Sequence, residues 1–176
     1  MRINEYTLKF VLLLILQVLI WNFCNFSQFL MLAFLPAMIL FLPVRRSAVS
    51  CMIIAFVCGF AADFLVGAPL GLSSLALVCV AFCRRGIIYL TLGHEVFARA
   101  EDFSPARQVV SKTILSITLA TALFLLIYIS VDSAFTRPLW IDALKWALSL
   151  LLSTPLGYYC THLLYTDNLR SSSKWR

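Results

Sequence analysis

The chain has 176 residues, 62% of them hydrophobic and only 12% charged, with a mean hydropathy of +0.94. Soluble domains carry about 25% charged residues, so this composition excludes a soluble globule and leaves an integral membrane protein without room for a separate soluble domain. The net charge of +6 is not a nucleic-acid signal, because no basic segment carries interleaved aromatics or a groove-binding helix pattern.

Taken in order, the apolar runs predict an all-α integral membrane domain over residues 1–164 with six transmembrane helices, followed by a basic cytoplasmic tail at 165–176. The first span covers residues 10–26. Arg2 and Lys9 ahead of it imitate a signal peptide, but Asn22, Phe23, Cys24 and Asn25 offer no small-residue cleavage site, so a retained helix is expected. The second span covers 29–44 and is broken by Pro36; the third covers 48–66; the fourth covers 68–83. A span needs roughly 20 apolar residues, so the second and fourth fit only a tilted arrangement or a locally thinned bilayer. The long segment from Arg84 to Lys112 starts apolar, and its residues 86–96 predict an interfacial helix. Ser104 and Pro105 read as a helix start, an N-cap followed by proline at the first helical position. The fifth span covers 114–131 and the sixth 143–164.

Charge placement predicts orientation. With the N-terminus in the cytoplasm, twelve of the fourteen lysines and arginines fall inside, and only Arg137 and Lys145 fall outside. This split is the one the positive-inside rule favours for an even number of spans with both termini cytoplasmic. Trp140 and Trp146 sit where aromatic interface anchors belong.

Enzyme signatures are missing: there is no GxSxG, HExxH, Walker loop or pair of carboxylates. The six cysteines fall mostly within apolar runs, with no CxxC, and read as small packing residues. No catalytic, cofactor-binding or metal-ligating residues are expected, and the chain reads as a non-enzyme.

The most informative stretch is residues 59–71. Stepping along the third span by four gives Ser47, Cys51, Ala55, Gly59, Asp63 and Gly67, all small except Asp63; the other side carries Ile53, Ile54, Phe56, Val57, Phe60 and Phe64. Small residues let helix backbones approach closely in lipid. Asp63 lies on the small side near the outer end, and a carboxylate there wants a partner. Lys145 is the expected ion-pair partner and Arg137 the second choice; a proton or ion path is the alternative use of Asp63. Gly67, Pro69 and Gly71 predict a turn, with glycines free to take left-handed angles and proline fixing its own φ.

These residues carry a resemblance. Leu16, Gln17, Val18, Leu19 and Ile20 followed by Asn22, the prolines Pro36 and Pro43, the Gly59-x3-Asp63 and Pro69-x-Gly71 pair, and Arg84 with Arg85 together resemble the rod shape-determining MreD family. The resemblance covers nearly the whole chain, and residues 59–71 are its most specific part. It implies a fold similar to the substrate-binding subunits of energy-coupling-factor transporters. It also implies a non-enzymatic scaffold of the bacterial cell-elongation complex in the inner membrane. The partners it implies are MreC and, through it, RodA with its transpeptidase, RodZ and MreB. Gly59, Asp63, Pro69 and Gly71 would then serve helix packing and partner contact, and Gly67, read from the small stripe and the turn, joins them. The alternative function is a substrate-binding membrane subunit of a vitamin-type transporter. Such subunits carry an alanine-x3-alanine motif on the first helix; here that helix has no alanine, and Ala33-x3-Ala37 lies in the second.

Overall fold

The structure, a computed structural model, describes residues 2–23, 31–42, 47–67, 69–93, 110–133 and 138–172. Within them the chain forms six helices: α1 (Arg2–Phe23), α2 (Leu35–Leu40), α3 (Ala48–Val66), α4 (Leu72–Leu92), α5 (Val110–Asp132) and α6 (Leu139–Ser172).

Local chemistry sets several of these boundaries. Ser47 caps α3, its hydroxyl accepting from the Ser50 N–H at 3.3 Å. Gly67, at φ 71°, ends α3 in the left-handed region, and its N–H donates to the Asp63 carbonyl. Gly71, at φ 97°, opens α4. The third span thus has the bounds expected from the sequence. The fourth does not: α4 continues through Arg84, Arg85 and Gly86 and stops at Leu92, before Gly93 at φ 77°. The interfacial helix expected to begin at Gly86 is the last part of α4. The expected helix start at Ser104 and Pro105 lies outside the described residues. At the other end, α6 runs on to Ser172, through most of the stretch expected as a basic tail.

The helices pack in a chain of neighbours. α3 lies against α4, α4 against α5, and α5 against α6, while α1 touches α3 and α6. α2 sits in the middle, in contact with α1, α4, α5 and α6. All six α2 residues are buried, and Phe34, Phe41, Phe124, Leu77 and Ile117 fill the space around it. Gly157 of α6 lets the helices pack tightly at this junction. A Cβ there would stand 3.1 Å from both the Ala37 Cβ and the Ile117 Cγ2.

The expectation of six spans is corrected. Among the described residues three helical stretches are long and apolar enough to cross a membrane: Ala48–Val66, Leu72–Thr91 and Val110–Asp132. The second expected span is the largest departure. Its helix has six residues, about 9 Å of rise, and enters from irregular backbone at residues 31–34. In α1 the apolar stretch is the shorter Thr7–Asn22. In α6, Ser149, Ser153, Thr154, Pro155, Thr161 and His162 dilute the hydropathy. Among the described residues every regular element is a helix, and the molecule is a multi-pass membrane protein.

Candidate functional site

The small side of α3 is its buried side. Cys51, Ala55, Cys58, Gly59, Ala62 and Asp63 are all buried, and Ile53, Phe56, Val57, Phe60 and Phe64 are exposed. Gly59 marks the closest approach to α4. A Cβ on it would lie 2.4 Å from the Ser74 Cα and 2.6 Å from the Ser74 backbone nitrogen. No side chain fits there, because the obstacle is backbone. This contact is the physical reason for glycine at position 59.

Asp63 is fully buried, one turn further along. Its Oδ2 accepts from the Gly71 N–H at 3.0 Å and from the Ser73 N–H at 3.0 Å, and its Oδ1 lies 3.3 Å from the Ser73 nitrogen. These donors belong to the first turn of α4, where backbone N–H groups have no intrahelical partner. Gly71 occupies the N-cap position and has no side chain to offer, so α3 supplies the cap in its place. The carboxylate also meets the positive end of the α4 dipole. Leu72 donates to the Pro69 carbonyl at 3.3 Å, and the Ser74 hydroxyl donates to the Gly71 carbonyl at 2.9 Å. One residue therefore ends α3 through its carbonyl and starts α4 through its side chain.

The expected ion pair between Asp63 and Lys145 is corrected by this geometry. Lys145 Nζ lies 3.5 Å from Asp132 Oδ2, which joins the end of α5 to the start of α6, while the Asp63 oxygens are taken by backbone. A sequence points to a charge for Asp63 because the donors available to it are anonymous there: any residue but proline supplies a backbone N–H. Arg137, the second expected partner, lies outside the described residues. Of the other expected site residues, Gly67 and Gly71 hold the two left-handed positions of the turn. Pro69 is exposed, with its carbonyl accepting from Leu72.

A second polar constellation was not anticipated. The irregular backbone ahead of α2 is held by side chains of α1 and α6. Gln17 Nε2 donates to the Leu32 carbonyl at 2.8 Å, and its Oε1 accepts from the Phe34 N–H at 2.9 Å. The Trp21 indole N–H also donates to the Leu32 carbonyl. Ser149 Oγ accepts from the Met31 N–H at 2.9 Å, and Ser153 Oγ from the Ala33 N–H at 3.0 Å. At the far end of α2, Arg84 is nearly buried. Its Nε donates to the Leu40 carbonyl at 2.8 Å, and its Nη atoms reach the Leu42 carbonyl and Cys51 Sγ. Non-helical backbone is tolerated inside a membrane protein only when its polar groups are met in this way. The signal was present: Gln17 inside an apolar helix, and Ser149 with Ser153 one turn apart on α6.

These contacts also order the ends of the molecule. Arg84 ties the C-terminal end of α2 to Cys51, near the start of α3. The segment before α2 meets the last turns of α1 and the first third of α6. The Asp63 turn, at the far end of α3, therefore lies on the same side of the molecule as the start of α6.

Among the described residues no group of three or more His, Cys, Asp or Glu side chains could hold a metal ion. The chain matches no protein-family model, no curated protein and no solved structure. What the fold and the site define is a class: a multi-pass helical membrane protein built around a capped hairpin and a braced central segment.

Proposed function

We propose that the chain is a non-catalytic membrane scaffold of the MreD type, holding cell-elongation proteins together in a bacterial inner membrane and so positioning peptidoglycan synthesis. The observation that supports this reading is the use of the motif residues. Gly59 admits the α4 backbone, the Asp63 carboxylate is taken up by the Gly71 and Ser73 N–H groups, and Gly67 and Gly71 supply the turn. All of them act on the backbone, and together they stiffen one hairpin. That hairpin turns Ile53, Phe56, Val57, Phe60 and Phe64 outward, an apolar ridge suited to the transmembrane helix of a partner. The resemblance nominates MreC as that partner, with RodA and its transpeptidase, RodZ and MreB joined through it. The bias of basic residues favours both termini in the cytoplasm.

Depletion followed by microscopy tests the reading. Rod-shaped cells should round up as the protein is lost, and a protein with Phe56→Ala and Phe60→Ala should reach the membrane at normal level but recover several-fold less MreC on purification. Depleted cells that keep their shape and width while losing uptake of a vitamin would refute it.

A further inference from the structure

A cleft of about 260 Å³ lies between α5 and α6, lined by Leu126, Ile129, Ser130, Asp142, Ala143 and Trp146. It is smaller than the roughly 300–1,000 Å³ of sites for drug-sized ligands, and its size suits a headgroup. Four of its six lining residues are apolar. Asp142, in the first turn of α6, is the exception that asks for a ligand: its Oδ1 is buried and, among the described residues, receives no hydrogen bond. A buried acceptor left unsatisfied is costly, and a charged one more so. The neighbouring cation on the same helix, Lys145, is already held by Asp132. Trp146 forms a fixed wall, because its indole N–H donates to the Ala122 carbonyl at 3.0 Å, and an aromatic wall is favourable to a cation.

The surroundings say where such a cation comes from. Leu126, which lines the cleft, is exposed and apolar, as are Trp140 and Leu144, which neighbour Asp142 and Ala143 along α6, so its mouth faces lipid. It lies where α5, a candidate span, ends and α6 begins, the depth at which headgroups and tryptophan anchors are found.

We propose that this cleft binds the primary ammonium of an aminophospholipid, with Asp142 accepting an N–H and the lipid's apolar part lying along Leu126. A primary ammonium is favoured over a quaternary one, because the unmet Asp142 oxygen needs a hydrogen-bond donor and not charge alone. The proposal is independent of the scaffold reading.

Native mass spectrometry of the delipidated full chain in detergent tests it, with phosphatidylethanolamine, its N-methylated series through phosphatidylcholine, and free ethanolamine as probes. Retention should fall as N–H donors are removed, roughly tenfold between the ethanolamine and choline lipids. Asp142→Leu, which removes the acceptor, should erase that preference. Equal retention across the methylated series overturns the proposal, as does an Asp142→Leu protein that keeps the preference. Displacement of the lipid by free ethanolamine at equal concentration overturns it too, by assigning the cleft to a soluble amine. The methylated series on the unaltered protein decides the matter by itself if Asp142→Leu does not fold.

Discussion

The α3–α4 hairpin and the segment around α2 solve the same problem in opposite ways. Both place backbone N–H and carbonyl groups in a greasy interior where water cannot reach them. The hairpin does so locally: Asp63, Gly67, Gly71 and Ser73 lie within one short stretch, and one carboxylate caps the helix that follows it. The α2 segment does so at long range, borrowing Gln17 and Trp21 from α1, Arg84 from α4, and Ser149 and Ser153 from α6. Local capping leaves a unit whose outer face is free for other work. Long-range bracing ties three helices to one centre and leaves α2 itself wholly buried.

Substitutions can break this contrast. Asp63→Ala should have the largest effect, because it leaves two buried N–H donors without their charged acceptor; a loss of roughly 3 kcal/mol in unfolding stability from mixed micelles is expected. Asp63→Asn, which keeps an acceptor, should recover part of it. Gly59→Ala forces a Cβ onto the α4 backbone and should lose about 2 kcal/mol. Unlike Asp63→Ala, it should leave amide-exchange protection of Gly71 and Ser73 in place while loosening the middle of the hairpin. Gln17→Leu strands the Phe34 N–H and weakens the hold on the Leu32 carbonyl, for about 1.5 kcal/mol. Its signature is faster exchange at Phe34 with the hairpin untouched; equal loosening of both regions would show that they are not separate units. Lys145→Ala removes a partly exposed ion pair and should change stability by about 0.5 kcal/mol. If it instead matched Asp63→Ala, the carboxylate would answer to Lys145 and the capping geometry would be refuted.

The hairpin was legible in the sequence because its logic is local. A four-residue step through Cys51, Ala55, Gly59 and Asp63 identifies the buried side of α3, and glycines at 67 and 71 bracket the turn. The partner of Asp63 was not legible, since a backbone N–H carries no letter. The α2 region failed for a different reason. Hydropathy reads residues 29–44 as a span because its residues are apolar, yet total burial demands the same composition as lipid exposure. Pro36 hints at a break, but the groups that make the break tolerable are scattered along the chain, on α1, α4 and, more than a hundred residues away, α6. Arg84 misled in the same manner. It reads as a marker of the membrane edge, and the structure turns it inward onto the Leu40 carbonyl, so α4 continues past it.

The bracing of α2 by the last helix has a consequence for how the protein is made. Met31 and Ala33 leave the ribosome long before their partners Ser149 and Ser153, which lie 118 and 120 residues downstream. Until α6 arrives, those N–H groups have no place in hydrocarbon, and the segment has reason to stay in the translocon, with a chaperone, or at the aqueous boundary. The arrival of α6 is therefore what completes the polar bracing of this segment. A chain cut short before Ser149 keeps the capped α3–α4 hairpin but cannot bury its own centre, which leaves it a natural target for membrane proteases.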